Sequence, residues 1–228
     1  METTPVETPR GKDGQWRTGP EIVPLGDRAL LVRFGKNLDD AANRAALILA
    51  ARLRDEPIAG VVEVVPSLVS VLVRYDPGQI TPMRLSGELS LRLNGPGPVG
   101  QARTHRIGVQ FDGPDIAEVA SALGLQVDAF IEAHNCSDLR VLTTGFAPGF
   151  VYCGFHDGSL VVPRRAEVRQ QVPAGSVLFA AGQTAITATD IPTGWHVIGR
   201  TDFRNFDPAL DPPTRLRAGD HIAFEALR

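Results

Sequence analysis

At 228 residues with 43% hydrophobic and 21% charged side chains, the chain has the composition of a globular protein and can form one large domain or two small ones. Its net charge of −3 gives no electrostatic case for nucleic acid or an anionic membrane surface. No apolar run approaches the ~20 residues of a membrane span, and the opening METTPVETPRGKDGQWRTG has no signal-peptide core, so a cytoplasmic location is expected.

Residues 1–20 mix Thr, Pro, Gly and both charge signs without periodicity and read as a disordered leader. Structure is expected to begin at Ile22, with a strand at Arg28 to Phe34. Asn37 is the expected cap of a helix that runs through Ala42, Ala45, Leu49 and Leu53 and stops at Pro57. Two strands follow, Val61 to Val65 and Leu68 to Tyr75, with Pro66 and Ser67 as a tight hairpin. Thr81 caps a second helix, Pro82 opens it, Leu85, Leu89 and Leu93 share one face, and Gly95 ends it. This β-α-β-β-α order needs only one more strand to make a ferredoxin-like domain over residues 21–94.

The segment 94–100, NGPGPVG, sustains neither helix nor strand and is the expected domain boundary. Beyond it, residues 101–228 change texture. His105 to Phe111 reads as a strand, Pro114 to Leu123 as a short helix ended by Gly124, and Val127 to Asn135 as a helix carrying His134. Leu139 to Thr144, Val177 to Ala180, His196 to Ile198 and His221 to Phe224 are short strands spaced as in a closed β-barrel. Between Thr143 and Phe206, glycines, prolines and isolated aromatics are too dense for a long helix. Such punctuation makes rigid loops with accessible main chain, which suits a small-ligand site and also suits the corners of a small barrel.

Several residues in this block carry candidate chemistry. Arg164 and Arg165 directly follow Pro163, so a fixed backbone can present a guanidinium to a carboxylate or phosphate, or leave both in solvated ion pairs. Gly182-Gln183-Thr184 offers an amide, a hydroxyl and backbone donors to an amide or lactam, and equally fits a polar turn. His134 is the candidate general acid or base, with His196 a weaker one; either also fits a structural role. Phe146, Phe150, Tyr152 and Trp195 can wall a pocket or fill a core. Cys136 and Cys153 have neither CxxC spacing nor a secretory context and are expected to be reduced thiols. There is no HExxH, H-x-E or Cys cluster, so no metal site is expected. The only lysines are Lys12 and Lys36, so the rest of the chain holds no P-loop, Schiff-base or biotinyl lysine.

A series of short motifs then becomes specific in combination. GFAPGFVY (Gly145–Tyr152), VPRR (Val162–Arg165), VPAGSV (Val172–Val177), AGQT (Ala181–Thr184), GWHVIGRT (Gly194–Thr201) and FDP (Phe206–Pro208) follow one another in this order. GDRALLVRF (Gly26–Phe34) and GVVEVVPSLVSVLVRYDP (Gly60–Pro77) precede them. Together they resemble the allophanate hydrolase subunit 1 family, which includes the B subunit of bacterial 5-oxoprolinase and the sporulation kinase inhibitor KipI. Cys153 and Phe155 stand where that family's loop usually reads leucine and glycine, and Ile191-Pro-Thr where Ser-Pro-Gly is usual.

The resemblance implies an α+β fold, with a ferredoxin-like N-terminal domain and a cyclophilin-like β-barrel C-terminal domain. It implies pairing with a homologous second subunit (allophanate hydrolase subunit 2, or the C subunit of 5-oxoprolinase) and work with the A subunit of 5-oxoprolinase. The implied reaction opens the lactam of 5-oxo-L-proline to glutamate, with ATP and Mg²⁺ held by the assembled complex rather than by this chain alone. Two alternatives come with the resemblance: a KipI-like regulator that inhibits a histidine kinase, and a carboxyltransferase or urea-amidolyase-type subunit. The candidate site on this basis comprises His134 as the catalytic group, with Phe146, Pro148, Gly149, Tyr152, Pro163, Arg164, Arg165, Gly182, Gln183, Thr184, Trp195 and Arg200 binding the ligand.

Overall fold

The computed structural model describes residues 19–93 and 102–227, in two compact units that divide between Pro98 and Val99. Residues 1–18 of the expected leader, the Gly95 helix end and the whole of the expected boundary segment 94–100 lie outside the described residues.

The first unit contains β1 (Glu21–Pro24), β2 (Ala29–Arg33), α1 (Asp40–Asp55), β3 (Val61–Pro66), β4 (Ser70–Tyr75) and α2 (Pro82–Arg92). Its sheet has the order β1-β2-β4-β3 and is antiparallel throughout. The alternating residues Leu30 and Val32 of β2 and Val71, Val73 and Tyr75 of β4 bury one face against Ala46, Leu49, Ala50 and Leu53 of α1 and Leu85 and Leu89 of α2. Each fully buried Leu there contributes roughly 1.5–3 kcal/mol. Among the described residues no strand after α2 joins this sheet; it is instead completed by β1, which precedes β2 and pairs with it.

Local chemistry moves some boundaries from their expected places. The cap of α1 is Asp39, not Asn37, because the Asp39 carboxylate accepts the Ala42 N–H at 2.8 Å. Thr81 does cap α2, accepting the Arg84 N–H at 3.3 Å, with Pro82 as its first residue. The β3–β4 turn falls at residues 67–69, closed by Ser67 N–H to Ser70 C=O at 2.8 Å, while Pro66 still belongs to β3. A proline is tolerated there because β3 is an edge strand and its missing N–H interrupts no ladder.

The second unit contains β5 (Thr104–Val109), α3 (Ile116–Ala122), α4 (Val127–Asn135), β6 (Leu139–Thr144), β7 (Val151–Gly154), β8 (Arg169–Val172), β9 (Ser176–Ala180), β10 (Gln183–Ile186), β11 (Ile191–Thr193), β12 (His196–Arg200) and β13 (His221–Ala226). Seven strands form one sheet in the order β12-β9-β10-β7-β6-β13-β5, and β8 pairs with β11 as a separate ribbon. Only the β13–β5 pairing in the large sheet is parallel.

The sheet curls until its two ends meet. Gln110, just past β5, exchanges both backbone hydrogen bonds with Arg200 of β12 at 2.9 Å each, and Gly113 N–H reaches Ile198 C=O at 3.2 Å. The approach is close enough that a Cβ on Gly199 would lie 2.4 Å from the Gln110 carbonyl oxygen, so the seam requires glycine.

Burial on both faces of the curled sheet follows the two-residue strand period. Val177 and Phe179 of β9 join Val151, Cys153, Ile186, Ile198 and residues of α3 and α4 in the larger core. Leu178 and Ala180 face the other way, with Ala185, Trp195, Phe150 and, from the ribbon, Val172 and Ile191. It is this second face that carries the candidate aromatic residues Phe150, Tyr152 and Trp195.

Candidate functional site

The loop joining β6 to β7 is shaped before any ligand is considered. Gly145 and Gly149 have φ of 131° and 69°, and Phe146 itself is left-handed at 78°. The buried Asn205 holds this loop: its amide donates to Gly149 C=O at 3.0 Å while its carbonyl accepts Leu216 N–H at 2.8 Å and Arg215 N–H at 3.2 Å. A Cβ at Gly149 would come within 2.5 Å of Phe206 Cβ and 2.8 Å of Ala188 Cβ. So braced, the loop holds Phe146 71% exposed, with Pro148 also in solvent.

From Phe146 a chain of edge-on ring contacts runs inward along the second sheet face. Centroid distances are 5.5 Å from Phe146 to Phe150, 4.7 Å from Phe150 to Tyr152 and 5.9 Å from Tyr152 to Trp195. The Arg164 guanidinium lies over Trp195, its Cζ 5.6 Å from the ring centroid. Arg164 is exposed and forms no ion pair among the described residues. Burial pushes the Tyr152 hydroxyl above its usual pKa, with the Arg164 charge acting in the opposite direction. By strand alternation Gln183 shares this face with Ala185; it is buried, and its Oε1 has no hydrogen-bond partner.

Other candidates are committed elsewhere. Arg165 donates to the buried Asp115 carboxylate at 2.8 Å, beside Arg169, which pairs with the same carboxylate. Asp115 also accepts Val197 N–H at 2.8 Å. Burial alone would raise its pKa, but the Arg169 and Val197 hydrogen bonds and the two guanidinium charges outweigh it and hold the carboxyl below the usual range. Arg165 is therefore a pin between α3 and the loop before β8, not a free anion receptor. Arg200 pairs with Asp112 at 2.9 Å on the surface while its backbone closes the barrel seam. Pro163 lends its carbonyl to His196 Nε2 at 3.0 Å, while the buried Nδ1 of that ring has no hydrogen-bond partner among the described residues. Burial raises the pKa of the Cys153 thiol strongly and leaves it a neutral core group.

His134 and Thr184 do meet, on the opposite side of β10 from Gln183. His134 is fully buried, with Nε2 2.8 Å from Thr184 Oγ1 and Nδ1 2.7 Å from Asn135 Oδ1. The same Thr184 oxygen lies 2.8 Å from Nε2 of His156, whose ring centroid is 4.7 Å from that of His134. Burial pushes the His134 pKa down to about 4. Burial, with the neighbouring His134 second, pushes that of His156 down to about 3. The sequence does not single out His156; it sits in a polar loop with no periodic pattern, and its partner is 28 residues away. Gly182, with φ of 69°, helps place it by accepting its backbone N–H at 3.2 Å. Among the described residues no group of three His, Cys, Asp or Glu side chains is placed to hold a metal ion.

These features define an α+β protein with a curled sheet whose second face carries a cation, rings and a buried amide. The chain belongs to the carboxyltransferase domain family, subdomain C and D, which matches residues 20–216 and bears out the resemblance read from the motif series. It is 32% identical to the 5-oxoprolinase B subunit of Bacillus subtilis, over 90% of this chain and 91% of that protein. It is 35% identical to the 5-oxoprolinase B subunit of Escherichia coli, over 88% of this chain and 93% of that protein. Among solved structures, the protein TTHA0988 superposes with a TM-score of 0.78 at 35% identity over 88% of this chain, which spans 40% of that protein. The urea carboxylase of Kluyveromyces lactis shares the fold at 15% identity, with a TM-score of 0.73 over 92% of this chain and 22% of its own.

Proposed function

We propose that this chain is the B subunit of a cytoplasmic, ATP-dependent 5-oxoprolinase, contributing part of a composite site in which the lactam of 5-oxo-L-proline is opened to L-glutamate. The relatives named as 5-oxoprolinase B subunits, matched over nearly their full length, support the reaction and the need for partner subunits. The fold reading that accompanies it is a ferredoxin-like first unit and a cyclophilin-like barrel, supported by the β1-β2-β4-β3 order and by the seam at Gln110 and Arg200.

The observation that carries the reading is Arg164. A guanidinium held over Trp195, near Tyr152 and without a carboxylate of its own among the described residues, is arranged to receive an anionic group attached to a small ring or amide. In 5-oxoproline that group is the carboxylate. Nucleotide and Mg²⁺ belong, on this reading, to the complex assembled with the homologous C subunit and the A subunit. The test is reconstitution: glutamate should form from 5-oxoproline and ATP when this chain is combined with both partners. Failure of the complete, assembled set to turn over 5-oxoproline would overturn the assignment.

A further inference from the structure

We propose that His156 is a ligand-binding group whose free ring nitrogen accepts a hydrogen bond from an amide N–H, and that Thr184 and His134 are positioning residues that keep this nitrogen unprotonated. Counting protons along one chain of hydrogen bonds assigns each ring its tautomer. The Thr184 hydroxyl lies 2.8 Å from Nε2 of both histidines and has a single proton, so it donates to one ring and must accept from the other. Asn135 decides which. Its Oδ1, an acceptor, is 2.7 Å from His134 Nδ1, so that nitrogen carries the proton and His134 Nε2 is a lone pair. Thr184 therefore donates to His134 and accepts the Nε2–H of His156. What remains is His156 Nδ1, unprotonated.

That nitrogen makes no hydrogen bond among the described residues, yet it is not one of the enclosed unpartnered polar atoms, so it keeps access to solvent. The ring around it is held rigidly against His134, 4.7 Å away, and Phe179, 5.3 Å away. Burial keeps the imidazole neutral far below physiological pH. A lone pair in such surroundings repels a carboxylate and leaves a cation without a counter-charge, whereas a neutral amide N–H matches it. The role given to His156 rests on the lactam-hydrolase reading for the class of ligand, an amide N–H; because Thr184 and Phe179 lie on the opposite face of the sheet from Trp195, this contact is separate from the one offered by Arg164.

The probe is 2-pyrrolidinone, a lactam with the N–H and no carboxylate, with N-methyl-2-pyrrolidinone as the control that lacks the donor. Imidazole ¹⁵N spectra of the full chain should show the proton on Nδ1 of His134 and on Nε2 of His156. Adding 2-pyrrolidinone should move His156 Nδ1 upfield saturably, and the N-methyl compound should not. Thr184→Val should leave His156 with both tautomers populated and weaken the response several-fold. Equal responses to the two compounds, no response, or the same tautomer at both histidines would overturn the proposal. So would an unchanged His156 tautomer in Thr184→Val, by removing the positioning role. A complex inactive on 5-oxoproline alongside an intact N–H-dependent shift would instead sink the hydrolase reading and leave this site standing.

Discussion

Adjacent arginines with the same chemistry have opposite fates here, because Pro163 fixes the backbone and the following side chains diverge. Arg165 turns to the buried Asp115, and Arg164 stays in solvent over Trp195. Replacing Arg164 by Ala removes no internal ion pair, so the melting temperature should hold. Activity of the reconstituted complex should fall at least tenfold, since a hydrogen bond to a charged group is worth about 1.5–3 kcal/mol. Asp115→Ala should do the reverse at the level of folding. It strands Arg165 and Arg169 and orphans the Val197 N–H, and removing one partner of a buried pair costs about 3–5 kcal/mol. Thermal melts of the two variants side by side check the contrast; an unchanged melting temperature in Asp115→Ala would contradict the pin. The buried histidines make a separate prediction in pH. Their pKa values are lowered in the fold, to about 4 and about 3, so between pH 6.5 and 4 the unfolded chain binds more protons and stability must fall as pH falls. The slope per histidine approaches about 1.4 kcal/mol per pH unit. Urea titrations at successive pH values should show this loss largely removed by changing both His134 and His156 to Gln, provided that variant folds.

At the scale of elements, the long periodic segments were legible and the short strands were not. α1 and α2 follow from apolar spacing and end signals, the short helices α3 and α4 are also read at nearly these bounds, and β6 and β9 are read as strands. β7, β8, β10 and β11 have only three or four residues each and include Gly154, Gln183, Thr184 and Pro192, types that mark turns elsewhere. β7 and β10 are strands because neighbours on both sides supply the ladder, and β8 and β11 because each supplies the other's, tertiary causes that no local pattern carries. Hence Gln183 and Thr184, read as a turn or loop, stand on opposite faces of β10 and serve different clusters. The proposed roles of Arg164 and Tyr152 were suggested by residue type, but the division of labour between Arg164 and Arg165 depends on Asp115, some 50 residues away. The β6–β7 loop gives the test at this scale. Gly149→Ala places a methyl against Phe206 and Ala188 at a positive φ. Left-handed backbone costs about 1–2 kcal/mol for a residue with a Cβ, and overpacking about 1–3 kcal/mol more. The variant should melt lower and show increased exchange at amides of residues 145–150; wild-type stability would mean that the loop is not held as tightly as Asn205 and Phe206 indicate.

For the molecule as a whole, the chain's own residues account for binding better than for bond breaking. Opening an unactivated lactam with ATP requires a cradle for the nucleotide, cations to neutralise its phosphates and exclusion of bulk water around the activated intermediate. After Lys36 the sequence contains no lysine to reach a β- or γ-phosphate, and among the described residues no cluster of acidic or imidazole groups is placed for a metal ion. The two titratable rings at the site's interior are held neutral, and His134 has both nitrogens occupied, so it is a poor general base for a ligand it does not face. Arg164, Trp195 and Tyr152, which are proposed to hold the ligand, supply a charge and rings but no group placed to cleave a lactam. The isolated chain mixed with ATP, Mg²⁺ and 5-oxoproline should therefore yield no glutamate above background, while addition of the partner subunits should bring activity that depends on Arg164. Substantial turnover by the isolated chain, abolished by a substitution between Gly145 and Arg200, would show that it carries a complete active site and would refute the composite reading.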